Sequence, residues 1–322
     1  RLIFPKEDDA ILKYLDDDGF PVEPIYYLPI IPMVLINGTK GIGTGFSTEI
    51  LPHDPRDIIE YLLCKLTKKP YDGTILPQWN NFKGEVIKNE DHKYTVKASY
   101  KVLGKDSIHI TELPIGMWTD DFKQLLENLA ETSDSSGKKV KAIVKDYTDL
   151  SQSTNIDIKV TFHNGVLQQL INDKTLEKSL KLTTSFNTSN MHLFNAEDKL
   201  VKYSNVTDII DDYFITRLEG YKTRKDHLIK LLSNELLLLD NKKRYIEEIL
   251  NDTLDLRKKK KDEIYQILQS KQYSLIDDTY NYLIKMPMDS VTQENIDKLI
   301  NQHNEAQANL TKIQNTTIQD MW

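Results

Sequence analysis

The distribution of helix-breaking residues divides this chain into two parts that must fold differently. Ten of the eleven prolines lie between Pro5 and Pro114, only Pro287 follows, and the last glycine is Gly220. Because proline and glycine end helices and mark turns, the first part is expected to contain turns and short strands. The second part is free to form long, uninterrupted helices.

A long amphipathic helix is predicted from about residue 205. Its apolar residues recur at helical spacing over more than forty positions: Ile209, Tyr213, Leu218, Tyr221, Leu228, Leu231, Leu232, Leu239, Ile246 and Ile249. At about 1.5 Å per residue it reaches about 60 Å, longer than a compact domain needs, so it is predicted to project. A second helical stretch, 292–313, follows a Ser290-x-x-Gln293 capping box and is predicted to lie antiparallel along the first. Its heptads are imperfect, which favours a short pair.

The first part is predicted to be mixed α/β. Alternation is clearest at Ile156, Ile158, Val160 and Phe162, which indicates a half-buried strand. Further strands are predicted at 85–88, 94–102 and 107–112, helices at 55–66 and 119–131, and a loop at 132–139. Thr119 is placed to cap the second of these helices. The fold class is therefore an α/β part followed by an all-α arm.

Composition limits the functions that this chain can have. No apolar run approaches the roughly 18–20 residues of a membrane span, and residues 1–9 lack the apolar segment of a signal peptide, which predicts an intracellular protein without a membrane partner. The single cysteine, Cys64, excludes an internal disulfide and a multi-cysteine metal site. A net charge of -7 argues against binding nucleic acid over the whole surface, so any such contact must be local.

The stretch "NGTKGIGTGFS", residues 37–47, places Ile42 among four glycines. A P-loop is excluded because the nearby Lys40 precedes the second glycine. A dinucleotide-binding fingerprint is disfavoured because Pro29 and Pro32 interrupt the strand that it needs. Two interpretations remain. The glycines supply a turn with Ile42 in the core, or Ile42 protrudes as an apolar wedge of the kind that kinks DNA from the minor groove.

Other polar and aromatic clusters carry weaker signals. The aspartate groups Asp8–Asp9, Asp16–Asp18, Asp211–Asp212 and Asp277–Asp278 are interpreted as solvated surface or caps. The basic run 257–261 is interpreted as a solvated helix start, with contact to a DNA duplex as the alternative. Tyr26, Tyr27, Trp118 and Trp322 are interpreted as packing residues.

One long stretch carries a specific resemblance. "EPIYYLPIIPMVLINGTKGIGTGFSTEILPHDPRDI" resembles the segment that follows the catalytic tyrosine in eukaryotic-type type IIA DNA topoisomerases. The similarity continues in the family's order through "FKGEV", "ITELPIGMWT", "KLTTSFNTSNMHLFN", "VTDIIDDYFITRLEGYKTRKDHL", "YNYLIKMPMDSVT" and "DMW". It implies the end of a winged-helix domain over 1–36, a tower-like α/β domain over 37–200, and a helical coiled-coil arm leading to the exit gate over 201–322.

The resemblance also implies roles for individual residues. Ile42 would intercalate into DNA and bend it. The DNA-contacting residues would be Lys40, Gly41, Gly43, Thr44, Lys181, Leu182, Thr183, Thr184, Ser185, Phe186, Asn187, Thr188, Ser189 and Asn190. Hydroxyls and amides in the second stretch suit phosphate contacts that position a duplex. No residue of this chain matches a catalytic or metal-binding position of the family.

The family's reaction is ATP-driven passage of one duplex through a transient double-strand break in another, carried out by a homodimer. The tyrosine, the Mg²⁺-binding acidic motifs and the ATPase domain lie upstream of the position that matches Arg1, so this chain alone is expected not to cleave DNA. A nuclear location is implied, or a cytoplasmic viral factory if the source is a large DNA virus. The alternatives are a non-catalytic architectural protein that bends DNA and a helical interaction module with no nucleic-acid role.

Overall fold

The structure is a computed structural model that describes residues 2–131, 142–287 and 291–322. Contacts divide the chain into two compact units. We call Ile31–Tyr213 the α/β unit, and residues 1–30 together with Phe214–Trp322 the helical unit. The three-part division implied by the resemblance stays a prediction. The loop predicted at 132–139 lies outside the described residues, as does Ser290.

The elements follow in chain order. The strands are β1 Tyr14–Asp17, β2 Phe20–Pro24, β3 Thr39–Ile42, β4 Ser47–Ile50, β5 Glu85–Glu90, β6 Lys93–Lys97, β7 Ser99–Val102, β8 Ser107–Glu112, β9 Val144–Asp149, β10 Ile158–Phe162, β11 Thr183–Asn187, β12 Met191–Phe194 and β13 Leu200–Tyr203. The helices are α1 Met33–Asn37, α2 Pro55–Leu66, α3 Thr119–Ala130, α4 Val166–Asn172, α5 Leu176–Ser179, α6 Val206–Leu250, α7 Lys261–Ser270, α8 Asn281–Ile284, α9 Gln293–Asn315 and α10 Ile318–Met321.

The core of the α/β unit is an antiparallel four-stranded sheet in the order β7-β8-β10-β9. The predicted strand is confirmed as β10, where Ile158, Val160 and Phe162 are buried while the residues between them are more exposed. Phe122 and Leu126 of α3 pack in the same cluster. The sheet buries one face against helices, and this is why the apolar residues of β10 alternate.

Two local predictions in this unit fail for physical reasons. The stretch 94–102 forms two strands, since β6 pairs with β5 and β11 whereas β7 joins β8 in the other sheet. Thr119 is the first residue of α3 rather than its cap; Trp118 holds the N-cap position without a side-chain hydrogen bond. Trp118 is 76% exposed, so its interpretation as a packing residue is wrong. The helix predicted at 55–66 and the strand predicted at 107–112 have the observed bounds of α2 and β8.

Helix α6 is a single helix of 45 residues, about 67 Å long, and it continues through Gly220. Helix α9 returns along it in the antiparallel direction. Lys225 near the start of α6 donates to the carbonyl oxygen of Gln314, and Asp240 further along lies 3.4 Å from the ring of His303. Apolar side chains fill the interface: Leu236, Leu239, Ile246, Ile296, Leu299, Ala306 and Leu310. The predicted antiparallel pair is thereby observed, although Thr292 rather than Ser290 caps α9.

A buried ion pair joins the first residues of the helical unit to α6. Asp8 is only 3% exposed and accepts a 2.8 Å hydrogen bond from Nη2 of Arg217, which is fully buried. The interpretation of Asp8 as solvated surface is therefore wrong. The Arg217 guanidinium lies 4.0 Å from the ring centroid of Tyr221, which stacks at 5.8 Å on Trp322. The indole of Trp322 donates to the carbonyl oxygen of Ile30, so its role in packing is confirmed.

Asp211 and Asp212 also depart from the surface interpretation. Asp211 accepts hydrogen bonds from the hydroxyl of Tyr61, at 2.8 Å, and from Nζ of Lys65, at 2.5 Å. Burial, together with this hydrogen bond, raises the pKa of Tyr61 to about 12. Asp212 accepts from the hydroxyl of Tyr203, and burial with this bond raises the pKa of that tyrosine. These carboxylates hold the first turns of α6 within the α/β unit.

Candidate DNA-binding surface

The glycine-rich stretch folds as a hairpin. Strands β3 and β4 pair antiparallel with Thr39 opposite Ile50 and Ile42 opposite Ser47. The loop between them closes with a 2.8 Å hydrogen bond from the Gly43 amide to the carbonyl oxygen of Phe46. A strand-turn-strand geometry offers no helix N-terminus after the glycines, so both phosphate-loop interpretations are excluded.

Ile42 lies at the end of β3 with its side chain 95% exposed, so its interpretation as a core residue is wrong. The turn interpretation of the glycines is nevertheless correct. Gly45 has φ +85°, which a side chain disfavours, and a Cβ on Gly43 would lie 2.8 Å from the Phe46 ring. A Cβ on Gly41 would meet no atom within 4 Å. The space beside Ile42 is therefore open, and a bulky ligand can approach the hairpin there.

The hairpin docks on strand β12 through both polar and aromatic contacts. The Asn190 side-chain amide donates to Oγ of Ser47 at 2.6 Å, and the Glu49 amide donates to the Asn190 carbonyl oxygen at 2.9 Å. The ring of His192 lies 3.0 Å from the Ser47 carbonyl oxygen through Nδ1. The Phe46 ring contacts those of His192 and Phe194, with centroids 6.3 and 6.1 Å apart. These contacts brace the strand opposite Ile42.

The second predicted stretch, 181–190, forms edge strand β11 of the sheet β11-β6-β5 and the turn that follows it. Lys181, Ser185, Asn187 and Ser189 are exposed. The Asn187 side chain accepts a 2.8 Å hydrogen bond from the Ser189 amide, which fixes the turn before Asn190. Through Asn190 the two stretches that sequence resemblance selected separately meet in one surface.

Not every selected residue presents its side chain there. Leu182 has no exposed surface and belongs to the core of the four-stranded sheet, and Thr188 is 4% exposed. Their side chains are therefore unable to reach DNA, which corrects the prediction for these two. Phe186 is half-buried against Trp79, with ring centroids 5.3 Å apart. The DNA contacts of the remaining residues stay predictions.

The charge beside Ile42 is balanced in this chain. Lys40 extends from β3 and its Nζ lies 2.9 Å from Oε1 of Glu49 on β4. The lysine side chain is 78% exposed. An ion pair this exposed contributes at most about 1 kcal/mol, so a phosphate is able to displace Glu49 from Lys40.

Sequence reasoning missed the residues that support the hairpin. Ser47 and His192 are separated by 145 positions, and no local pattern marks their contact. The only signal was the continuation of the family's motif through "SNMHLFN", in which His192 is the fourth residue. Support of this kind depends on tertiary folding.

Metal ligands and membrane-spanning helices were considered as alternatives to a DNA surface. The described residues contain no group of three or more His, Cys, Asp or Glu side chains that could hold a metal ion. The Mg²⁺ implied by the resemblance therefore finds no fitting ligand set among residues 2–131, 142–287 and 291–322. No helix in the same ranges is long and apolar enough to cross a membrane.

Comparison with known proteins agrees with this architecture. The family model that describes DNA gyrase/topoisomerase IV, in its A-subunit form, matches residues 1–322. A crystal structure of the Plasmodium falciparum topoisomerase II DNA-binding, cleavage and re-ligation domain superposes with a TM-score of 0.84 at 33% identity. The match covers 100% of this chain and 46% of that one.

Sequence relatives give the same assignment. DNA topoisomerase 2 of P. falciparum is 32% identical over 356 residues, covering all of this chain and 25% of the relative. The mimivirus DNA topoisomerase 2 is 30% identical, with 100% of this chain and 30% of the relative covered. The chain thus spans about a quarter of the length of such relatives. With a family match over its entire length and the same fold as a solved member, the chain belongs to the type IIA DNA topoisomerases.

Proposed function

We propose that this chain is part of the DNA breakage-reunion core of an ATP-dependent type II topoisomerase and that it bends the duplex to be cleaved. The observation that carries the proposal is the exposure of Ile42, 95% of whose side chain faces solvent at the end of a braced hairpin. Leaving an isoleucine in water forgoes about 1.5–3 kcal/mol of burial, so this position gains nothing for folding. Insertion between base pairs recovers that burial.

The rest of the surface suits the flanks of a bent duplex. Kinking a base step costs a few kcal/mol, which additional phosphate contacts offset. Lys40 lies on the same strand as Ile42 and exchanges Glu49 for a phosphate. Ser185, Asn187 and Ser189 present exposed hydroxyls and an amide that position the backbone without reading sequence.

The remaining parts of the reaction belong to other residues of the complete protein. The chain works as part of a homodimer, so that two Ile42 side chains kink one duplex, and the α6–α9 pair forms the arm toward the exit gate. Mg²⁺ and ATP act in the complete enzyme, and we propose no step that uses either one bound to this chain. Alone, the chain binds and bends DNA without cleaving it. The location that follows is the nucleus, or a viral factory.

Replacing Ile42 with alanine is expected to reduce bending of a short duplex, measured by energy transfer between dyes at its two ends. Ile42→Leu is expected to retain bending, because an apolar wedge of similar size remains. In the complete enzyme Ile42→Ala also lowers DNA cleavage while ATP hydrolysis without DNA stays close to wild type.

Leu150→Ala is the matched control, because Leu150 is an aliphatic residue, 67% exposed, that follows β9 in a different sheet. It should bend DNA as the wild type does. Unchanged energy transfer with Ile42→Ala, or an equal loss with Leu150→Ala, would remove the wedge assignment.

A further inference from the structure

The segment between α6 and α7 carries the densest positive charge in the sequence. Residues 257–261 are Arg-Lys-Lys-Lys-Lys, in a chain whose net charge is -7. All five are exposed. They form a turn and an extended segment that ends at the first residue of α7, so their side chains are displayed around a bend rather than along one helix face.

Few of these charges are compensated. Arg257 turns back onto Asp255 with 2.9 Å between Nε and Oδ1, and this contact lowers the pKa of the Asp255 carboxyl. Asp262 and Glu263 stand in the first turn of α7, where Glu263 accepts a hydrogen bond from the Lys260 amide. In the described part of the chain, no carboxylate lies within ion-pair distance of the ammonium groups of Lys258, Lys259, Lys260 or Lys261. Five basic residues thus face three acidic ones over 255–263.

The position makes this run costly for the fold. A helix N-terminus carries partial positive charge, so cations there are disfavoured by about 0.3–1 kcal/mol each, and neighbouring lysines repel one another. Lys258 also adopts φ +60°, a backbone conformation that side chains disfavour. Departures from local stability rules that lack an internal compensation are expected at functional sites. A polyanion would relieve all of these unfavourable terms together.

We propose that Lys258, Lys259 and Lys260 bind the phosphate backbone of duplex DNA, as a contact separate from the Ile42 hairpin. The inference rests on the proposed function for its choice of polyanion. A flexible row of lysines contacts phosphates as point charges and does not distinguish base sequence. The contact therefore adds affinity that depends strongly on salt and leaves the bend made by Ile42 unchanged.

The test measures binding of a labelled duplex to the full 322-residue chain over a series of salt concentrations. Each phosphate contact contributes a slope of about -0.9 to the plot of log affinity against log salt. The triple variant Lys258→Gln, Lys259→Gln, Lys260→Gln is expected to reduce the slope by about 2.7, in wild-type and in Ile42→Ala backgrounds alike. Its thermal stability without DNA should be equal to or above that of the wild type.

The matched control neutralises Lys285, Lys298 and Lys312, which are exposed in the same unit but dispersed along it. It makes the same charge change and should leave the slope close to wild type. An unchanged slope in the 258–260 variant, or an equal decrease in the control, overturns the proposal. Bending by energy transfer is read on the same samples. A wild-type chain that binds without bending would refute the Ile42 wedge alone, and an unchanged slope with bending intact would refute the lysine contact alone.

Discussion

Replacing Arg217 with methionine is expected to lower the free energy of unfolding of the helical unit by about 3–5 kcal/mol. The substitution leaves the Asp8 carboxylate, 3% exposed, without the partner that lies 2.8 Å away. A charge that is buried and unpaired costs far more than the ion pair itself contributes. The measurement is urea unfolding followed by Trp322 fluorescence, in a Trp79→Phe, Trp118→Phe background that leaves Trp322 as the sole tryptophan.

Two further variants make this prediction specific. Arg224 lies 3.6 Å from both Glu7 and Asp8 and is 15% exposed, so Arg224→Met should cost less. Combining Asp8→Asn with Arg217→Met removes both charges, and this double variant should be more stable than Arg217→Met alone. A loss below about 1 kcal/mol, typical of an exposed pair, would mean that the charge of Asp8 is not effectively buried.

Acidification is expected to destabilise the α/β unit through His53, which is 3% exposed. Burial lowers the pKa of His53 from 6.5 to about 4, and hydrogen bonds with the backbone of Leu35 and Leu51 oppose this shift only in part. Between these pH values the unfolded chain binds a proton that the folded chain excludes. Stability is therefore fully present above pH 6.5 and falls as the pH drops toward about 4, by about 3 kcal/mol in all.

His53→Gln separates this effect from the titration of carboxyl groups, because glutamine does not titrate. The difference in unfolding free energy between wild type and His53→Gln should shift against the wild type as the pH falls through this window. The reporter is Trp79, which lines the same surface pocket as His53, in a Trp118→Phe, Trp322→Phe background. A difference that stays constant with pH would show that His53 titrates normally in the folded chain.

Much of the architecture could be predicted from local pattern. The long helix, its antiparallel partner, the bounds of α2 and β8, and the buried face of β10 all follow from periodicity and from the positions of proline and glycine. Such features depend on residues a few positions apart. The split of 94–102 into β6 and β7 was not predictable in this way, because each strand finds its partners in a different sheet.

The candidate surface shows the same division. Family resemblance selected Ile42 and 181–190, but residue pattern alone left Ile42 equally compatible with a core position. Leu182 and Thr188 were included because they stand within a motif, and only the packing of the sheet revealed that they are buried. His192 went unnoticed because its contact with Ser47 spans 145 positions.

By itself, the sequence determined the order of strands and helices, the need for glycine in the hairpin, and the membership of the family. These depend on backbone preferences and local periodicity, which a linear pattern records. Only the tertiary structure decided that Ile42 faces solvent while Asp8 does not. Burial is the sum of contacts with residues far away in the chain: Asp8 meets Arg217 across 209 positions, whereas nothing in the described chain covers Ile42.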